Sequence, residues 1–158
     1  MVSILVGLAL ATATGFRIFI PMLFLSIGSL TGFIDLSPNM EWLGTDTALI
    51  VLGIGTVFEL LSYLIPGVDN IMDMIDTPIA VIAGILVMFS VVQTDNPMTH
   101  WIIAIIIGGA IPAILKAFKA TIRGALTAFT GGFGNIFLAI LEAVASIIVA
   151  VTAIFFLA

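Results

Sequence analysis

Two stretches of this chain, residues 47–65 and 135–158, each hold a single charged residue, a glutamate, in an otherwise apolar run. A helix needs about 20 apolar residues to cross bilayer hydrocarbon, so both are long enough to span it. No water-soluble fold could cover its surface with so few charges. Only 8% of the 158 residues are charged and 62% are hydrophobic, against roughly 25% charged in ordinary soluble domains. The chain is therefore expected to be an all-α integral membrane protein. No long polar segment exists to build a second domain, so residues 1–158 read as one membrane domain.

Three further apolar blocks occupy residues 2–34, residues 78–92 and a stretch starting at Trp101. A polytopic transmembrane bundle of about five segments is the natural architecture. The first block is too long for one straight span. Arg17 lies near its middle, with Gly15 before it and Pro21 after it. Proline removes a backbone donor and clashes with the preceding turn. This segment is expected to break or re-enter as a hairpin, or else to run as a long tilted helix with Arg17 snorkelling. Its start, ending in Ala11-Thr12-Ala13, imitates a signal peptide but has no basic leading region. It reads as a retained first membrane segment.

The connectors are legible. Residues 35–46 contain Ser37-Pro38-Asn39 and three acids, an exposed loop. Thr94-Asp95-Asn96-Pro97 is a turn before Trp101, an interfacial aromatic. Pro66-Gly67 closes the second block, and Asp76-Thr77-Pro78 carries a helix-start signature. The third block is short and is expected to borrow the turn before Pro78. Lys116, Lys119 and Arg123 fall between the fourth and fifth blocks. The positive-inside rule assigns that basic segment to the cytoplasmic side of a bacterial or archaeal plasma membrane, with the acidic loops outside. A hairpin first block would place the N-terminus outside as well.

The chain has no cysteine, which excludes disulfides, thiolate metal sites and thiol catalysis. Its one histidine, His100, excludes a multi-histidine metal cluster within a subunit. Four basic residues supply no surface for nucleic acid. Nucleophile elbow, Walker loop and dinucleotide fingerprint are absent, so neither an enzyme nor a cofactor is expected.

The remaining charges form constellations. Asp69, Asp73 and Asp76 share one helical face, as do Lys116, Lys119 and Arg123. Opposite stripes near a low-dielectric boundary attract strongly, so they make either a structural zipper or the mouth of a site. Glu59 lies about 9 Å of helix from Pro66, and Glu142 about 12 Å from Gly134, so both sit at similar depth. An ionisable group inside a membrane marks a functional site by default. Thr56, Glu59, Ser62 and Tyr63 form one polar stripe, and Asn135, Glu142 and Ser146 form another. Such stripes are expected to face each other or a wet cavity, or to close as an interhelical clamp.

Glu59, Pro66-Gly67-Val68-Asp69, Asp73 and Thr77-Pro78, followed by Lys119, Arg123, Asn135 and Glu142, resemble the signature of an uncharacterised bacterial integral membrane family, domain of unknown function 4126. The likeness covers most of the chain. It departs at Tyr63-Leu64, where the family usually carries an Asp-Lys pair, and at Ala143, where an acid often follows the last glutamate. The resemblance implies a membrane protein and no particular activity.

The leading functional expectation is a small transporter or channel-like protein, with Glu59, Glu142, Asp69, Asp73, Asp76 and Asn135 around a cation or proton. An alternative is a protein that binds or flips an anionic lipid, gripped by Arg17, Lys116, Lys119 and Arg123. A third is a structural or assembly protein, with both charge stripes internal. Membrane lipid is the expected partner. With few helices per subunit a homodimer is expected, and Gly7, Ala11 and Gly15 offer a stripe for close helix packing. The first and last pairs of blocks also share an outline that suggests an inverted repeat.

Overall fold

The first apolar block is two half-helices. α1 (Val2–Phe16) and α2 (Phe19–Leu30) are separated by Arg17, whose backbone is extended at φ −141, ψ 137. At 1.5 Å per residue they are about 22 and 18 Å long, each short of the roughly 30 Å hydrocarbon core. Pro21 falls in the first turn of α2, where a missing N–H loses no intrahelical bond. Val2 and Ser3 lie beside Phe33, Ile34 and Asp35, so the chain turns back and both ends reach the same side. We call that side the N-terminal face. The segment is thus a re-entrant hairpin, and the long tilted helix is ruled out.

In this computed structural model, which describes residues 1–157, the chain then runs back and forth through α3 (Asp46–Tyr63), α4 (Val68–Val91), α5 (Pro97–Ile103), α6 (Gly109–Thr130) and α7 (Phe133–Thr152). A π-helical turn, Ala104–Gly108, joins α5 and α6 into one 34-residue helix, Pro97–Thr130. A second, Ala153–Leu157, extends α7; residue 158, the end of the fifth apolar block, lies outside the described residues. Among the described residues, four helices are long and apolar enough to cross a membrane. The protein is an all-helical membrane bundle.

Local sequence explains most boundaries. The Asn96 side chain accepts from the Met98 and Thr99 N–H groups and starts α5, and Thr45 does the same for Ala48 at the start of α3. Gly67, Gly131 and Gly132 have positive φ and make the two tight connectors opposite the N-terminal face. The π turn sits just before Pro112, whose ring would otherwise strike the Gly108 carbonyl one turn back.

Two expectations need correction. Asp76-Thr77-Pro78 is not a helix start, because α4 begins at Val68 and carries Pro78 in its interior. The third block does borrow residues before Pro78, two turns of them and more. Nor do Lys116, Lys119 and Arg123 lie in a connector: they are buried inside α6, and the connecting residues 131–132 are both glycine. The positive-inside rule counts charges in loops, so these three do not bear on orientation.

α1 is central, packed against α4, α6 and α7, while α2 lies against α3 and α7. The Gly7 and Gly15 positions are filled by Met88 and Leu115, so the small-residue stripe serves packing within the chain. Gly84 of α4 meets the Gly108 carbonyl directly, leaving no room for a side chain on either. Ile54, Phe58, Ile114 and Phe137 are exposed, as expected for surfaces that face lipid. The likeness between the first and last pairs of blocks does not extend to connectivity, since the first block folds back and the fourth continues as one helix.

Candidate functional site

The hairpin break exposes half-helix ends in mid-protein, and backbone groups there must find partners. Glu59 of α3 accepts from the N–H groups of Ile18 (2.8 Å) and Phe19 (3.0 Å), capping α2. Lys119 of α6 donates to the carbonyls of Gly15 (3.1 Å) and Phe16 (2.7 Å), capping α1. Each charge has the sign that complements the dipole of the half-helix it meets. The two half-helix ends carry opposite partial charges and offset each other.

Around this break the chain gathers all four of its basic residues and five of its acids. Glu142 of α7 receives Arg123 Nη2 on both oxygens at 2.9 Å, Arg17 Nη2 at 3.2 Å and Lys119 Nζ at 3.3 Å. Arg123 also reaches Asp73 through Nε at 2.7 Å, off the N–H axis, and Asp69 through Nη1 at 3.6 Å. Asn135 donates to Asp69 at 2.7 Å and to Thr127 at 2.8 Å. Asp69 in turn accepts from the Gly67 N–H and steadies the start of α4. Lys116 lies 3.7 Å from Asp76.

Tyr63, the only tyrosine in the chain, occupies the middle. Its hydroxyl is 2.9 Å from Asp73 Oδ1 and 2.6 Å from Asp76 Oδ2. The Arg17 guanidinium stacks on its ring at 4.0 Å, and that of Arg123 lies 4.9 Å from the ring centre. A guanidinium over an aromatic face is attracted by the ring quadrupole. The sequence had placed Tyr63 on a polar stripe without a role. Its uniqueness in the chain and its register with Glu59 were the signals available.

The structure therefore brings together Arg17, Glu59, Asp69, Asp73, Asp76, Lys116, Lys119, Arg123, Asn135 and Glu142. The two glutamates do not meet each other. They address the break from opposite sides, Glu59 at residues 18 and 19 and Glu142 at Arg17. On the α3 stripe, Thr56 and Ser62 bond carbonyls of their own helix. Ser146 instead reaches the Ala13 carbonyl of α1 at 3.0 Å. The expected wet cavity is also missing among the described residues: apart from Asp73, whose side chain is 14% exposed, the charged groups are sealed. Acids approach bases here, and no three acidic or histidine side chains among the described residues gather as metal ligands.

The basic residues turn inward onto acids. Arg17 also borders an apolar groove of about 220 Å³ between α3 and α7, lined by Leu60, Leu64, Ile140 and Val144. Far from the network, Asp35, Glu41, Asp46 and Asp95 are all exposed at the N-terminal face. His100 is there too, stacked on Phe89 and bonded to its carbonyl at 2.9 Å. Neither a curated protein nor a solved structure matches the chain. The family described as Domain of unknown function (DUF4126) matches residues 4–156, and with nearly the whole length covered the chain belongs to that family.

Proposed function

We propose that this protein is a small ion-coupled transporter or channel whose site is the charge network at the hairpin break. The observation that carries this reading is the break itself, two half-helix ends held by Glu59 and Lys119 from different helices. Discontinuous helices whose termini meet ionisable groups at mid-depth are how membrane transporters commonly build ion sites. Five carboxylates face four cations in the network, so it has capacity for one further positive charge, a cation or a proton. The sealed arrangement corresponds to an occluded state, with Asp73 as its closest approach to water.

A second reading is favoured by one observation: every charge in the network except Glu59 has an opposite charge within 4 Å. In that reading the network is a structural clamp. Reconstitution separates the two. Purified protein in liposomes under an imposed membrane potential, with a pH dye and a set of alkali cations, should carry flux well above protein-free vesicles. Asp73→Asn should lower that flux at least tenfold. Flux equal to empty vesicles for proton and every cation tried would leave only the clamp.

A further inference from the structure

We propose that the network binds one proton, held on Asp76 and exchanged with solvent through Tyr63 and Asp73. This deepens the ion-coupled reading by naming the ion. Two independent counts lead to it. The first is of charge: Arg17, Lys116, Lys119 and Arg123 against Glu59, Asp69, Asp73, Asp76 and Glu142 leave one negative charge uncompensated in a buried region. An isolated ionised carboxylate away from water is strongly unfavourable, and neutralisation is the usual outcome.

The second count is of hydrogens. Tyr63 Oη is within hydrogen-bond distance of two carboxylate oxygens, at 2.9 and 2.6 Å. A phenol has one proton and serves one of these contacts. Ionised carboxylates are acceptors only, so the other contact needs a proton from Asp73 or Asp76.

Geometry distinguishes the two acids. Asp73 has a guanidinium nitrogen of Arg123 at 2.7 Å and accepts the Tyr63 hydroxyl on its other oxygen, which suits an anion. Asp76 has only Lys116, at 3.7 Å, beyond hydrogen-bond distance. Lys116 is 3% exposed and its Nζ has no hydrogen-bond partner, so it does not hold Asp76 as a bonded counter-ion would. Asp76 O–H therefore donates to Tyr63 Oη, and Tyr63 O–H donates to Asp73 Oδ1.

This order makes a two-step relay. A proton arriving on Asp73, the network acid whose side chain is more exposed than that of Asp76, Asp69 or Glu142, passes to Tyr63 Oη as the phenolic proton passes to Asp76. One O–H bond forms and one breaks at tyrosine, which stays neutral, and the net charge moved is a single proton. The groups around the relay are Tyr63 and Glu59 from α3, Asp69 from α4, Lys116, Lys119 and Arg123 from α6, Arg17 from the break and Glu142 from α7.

The test is infrared spectroscopy of the full chain in lipid nanodiscs at neutral pH. Wild type should show the carbonyl stretch of a protonated carboxylic acid, moved by carboxyl-13C aspartate labelling. Asp76→Asn should abolish it. Tyr63→Phe should keep the band but shift it to higher frequency, because the acceptor is gone. No such band in wild type would overturn the proposal, as would a band that ignores the aspartate label or survives Asp76→Asn. The wild-type and labelling measurements need no variant to fold. A band of this kind without proton flux in liposomes would remove the transporter reading and leave the proton site standing. Flux without the band would do the reverse.

Discussion

Replacing Glu142 with glutamine tests whether the network is a coupled ion cluster. The amide would keep the shape of the side chain but remove the charge that three cations share at 2.9–3.3 Å. Lys119 would retain two backbone carbonyls, and Arg123 would retain Asp69 and Asp73. Arg17 would be left with the Ala139 carbonyl at 2.9 Å and the Tyr63 ring, and no counter-ion within 4 Å. Breaking a buried pair by removing one partner costs about 3–5 kcal/mol, because a charge stays behind without compensation. At about 1.4 kcal/mol per decade, that is roughly a hundred- to several-thousand-fold in the unfolding equilibrium. Steric trapping or denaturant titration in bicelles measures it. The double variant Glu142→Gln with Lys119→Met should lose less than the sum of the two single losses, with a coupling of about 0.5–3 kcal/mol. A loss below about 1 kcal/mol for Glu142→Gln, with no coupling to Lys119, would refute the cluster. Transport assays on Glu142→Gln therefore have to be read against its stability.

Further outcomes follow from the same geometry. Glu59→Gln keeps one acceptor for the start of α2 and loses the other, so stability should fall by about 1–3 kcal/mol, and amide exchange at Ile18 and Phe19 should quicken. Gly84→Ala places a methyl on the Gly108 carbonyl; thermal denaturation should show a loss of about 1–3 kcal/mol or more, as for overpacked cores. The chain has no cysteine of its own, so single cysteines at Ser3, Gly32, Gly67 and Gly131 report topology directly. An impermeant maleimide should label Ser3→Cys and Gly32→Cys from one side and the other two from the opposite side. Labelling of residues 3 and 32 from different sides would exclude the hairpin.

The membrane nature of the chain was legible because it depends on composition and run length, which any segment carries without its neighbours. Arg17 and Pro21 likewise announced the break, since the missing proline donor is a local property. Gly67 and Gly131 marked their turns for the same reason. Pro78 misled because a proline at a helix start and one inside a packed helix look alike in sequence. Tertiary contacts decided between them: Asp69 and Asp73, ahead of Pro78 in α4, are held by Asn135 of α7 and Arg123 of α6.

The charges divide in the same way. Spacing alone put Asp69, Asp73 and Asp76 on one face, and Lys116, Lys119 and Arg123 on another, because helical period is an intrachain quantity. It could not say that Lys119 leaves its stripe for the end of α1, or that Glu59 meets backbone N–H groups 40 residues away in sequence. Nor could it put Tyr63 between two carboxylates. Those partners come from different helices, and burial without water leaves each charge satisfied only by what packing brings within about 3 Å. The sequence by itself determined which residues are too polar for lipid. Only the tertiary structure decided which of them answer each other.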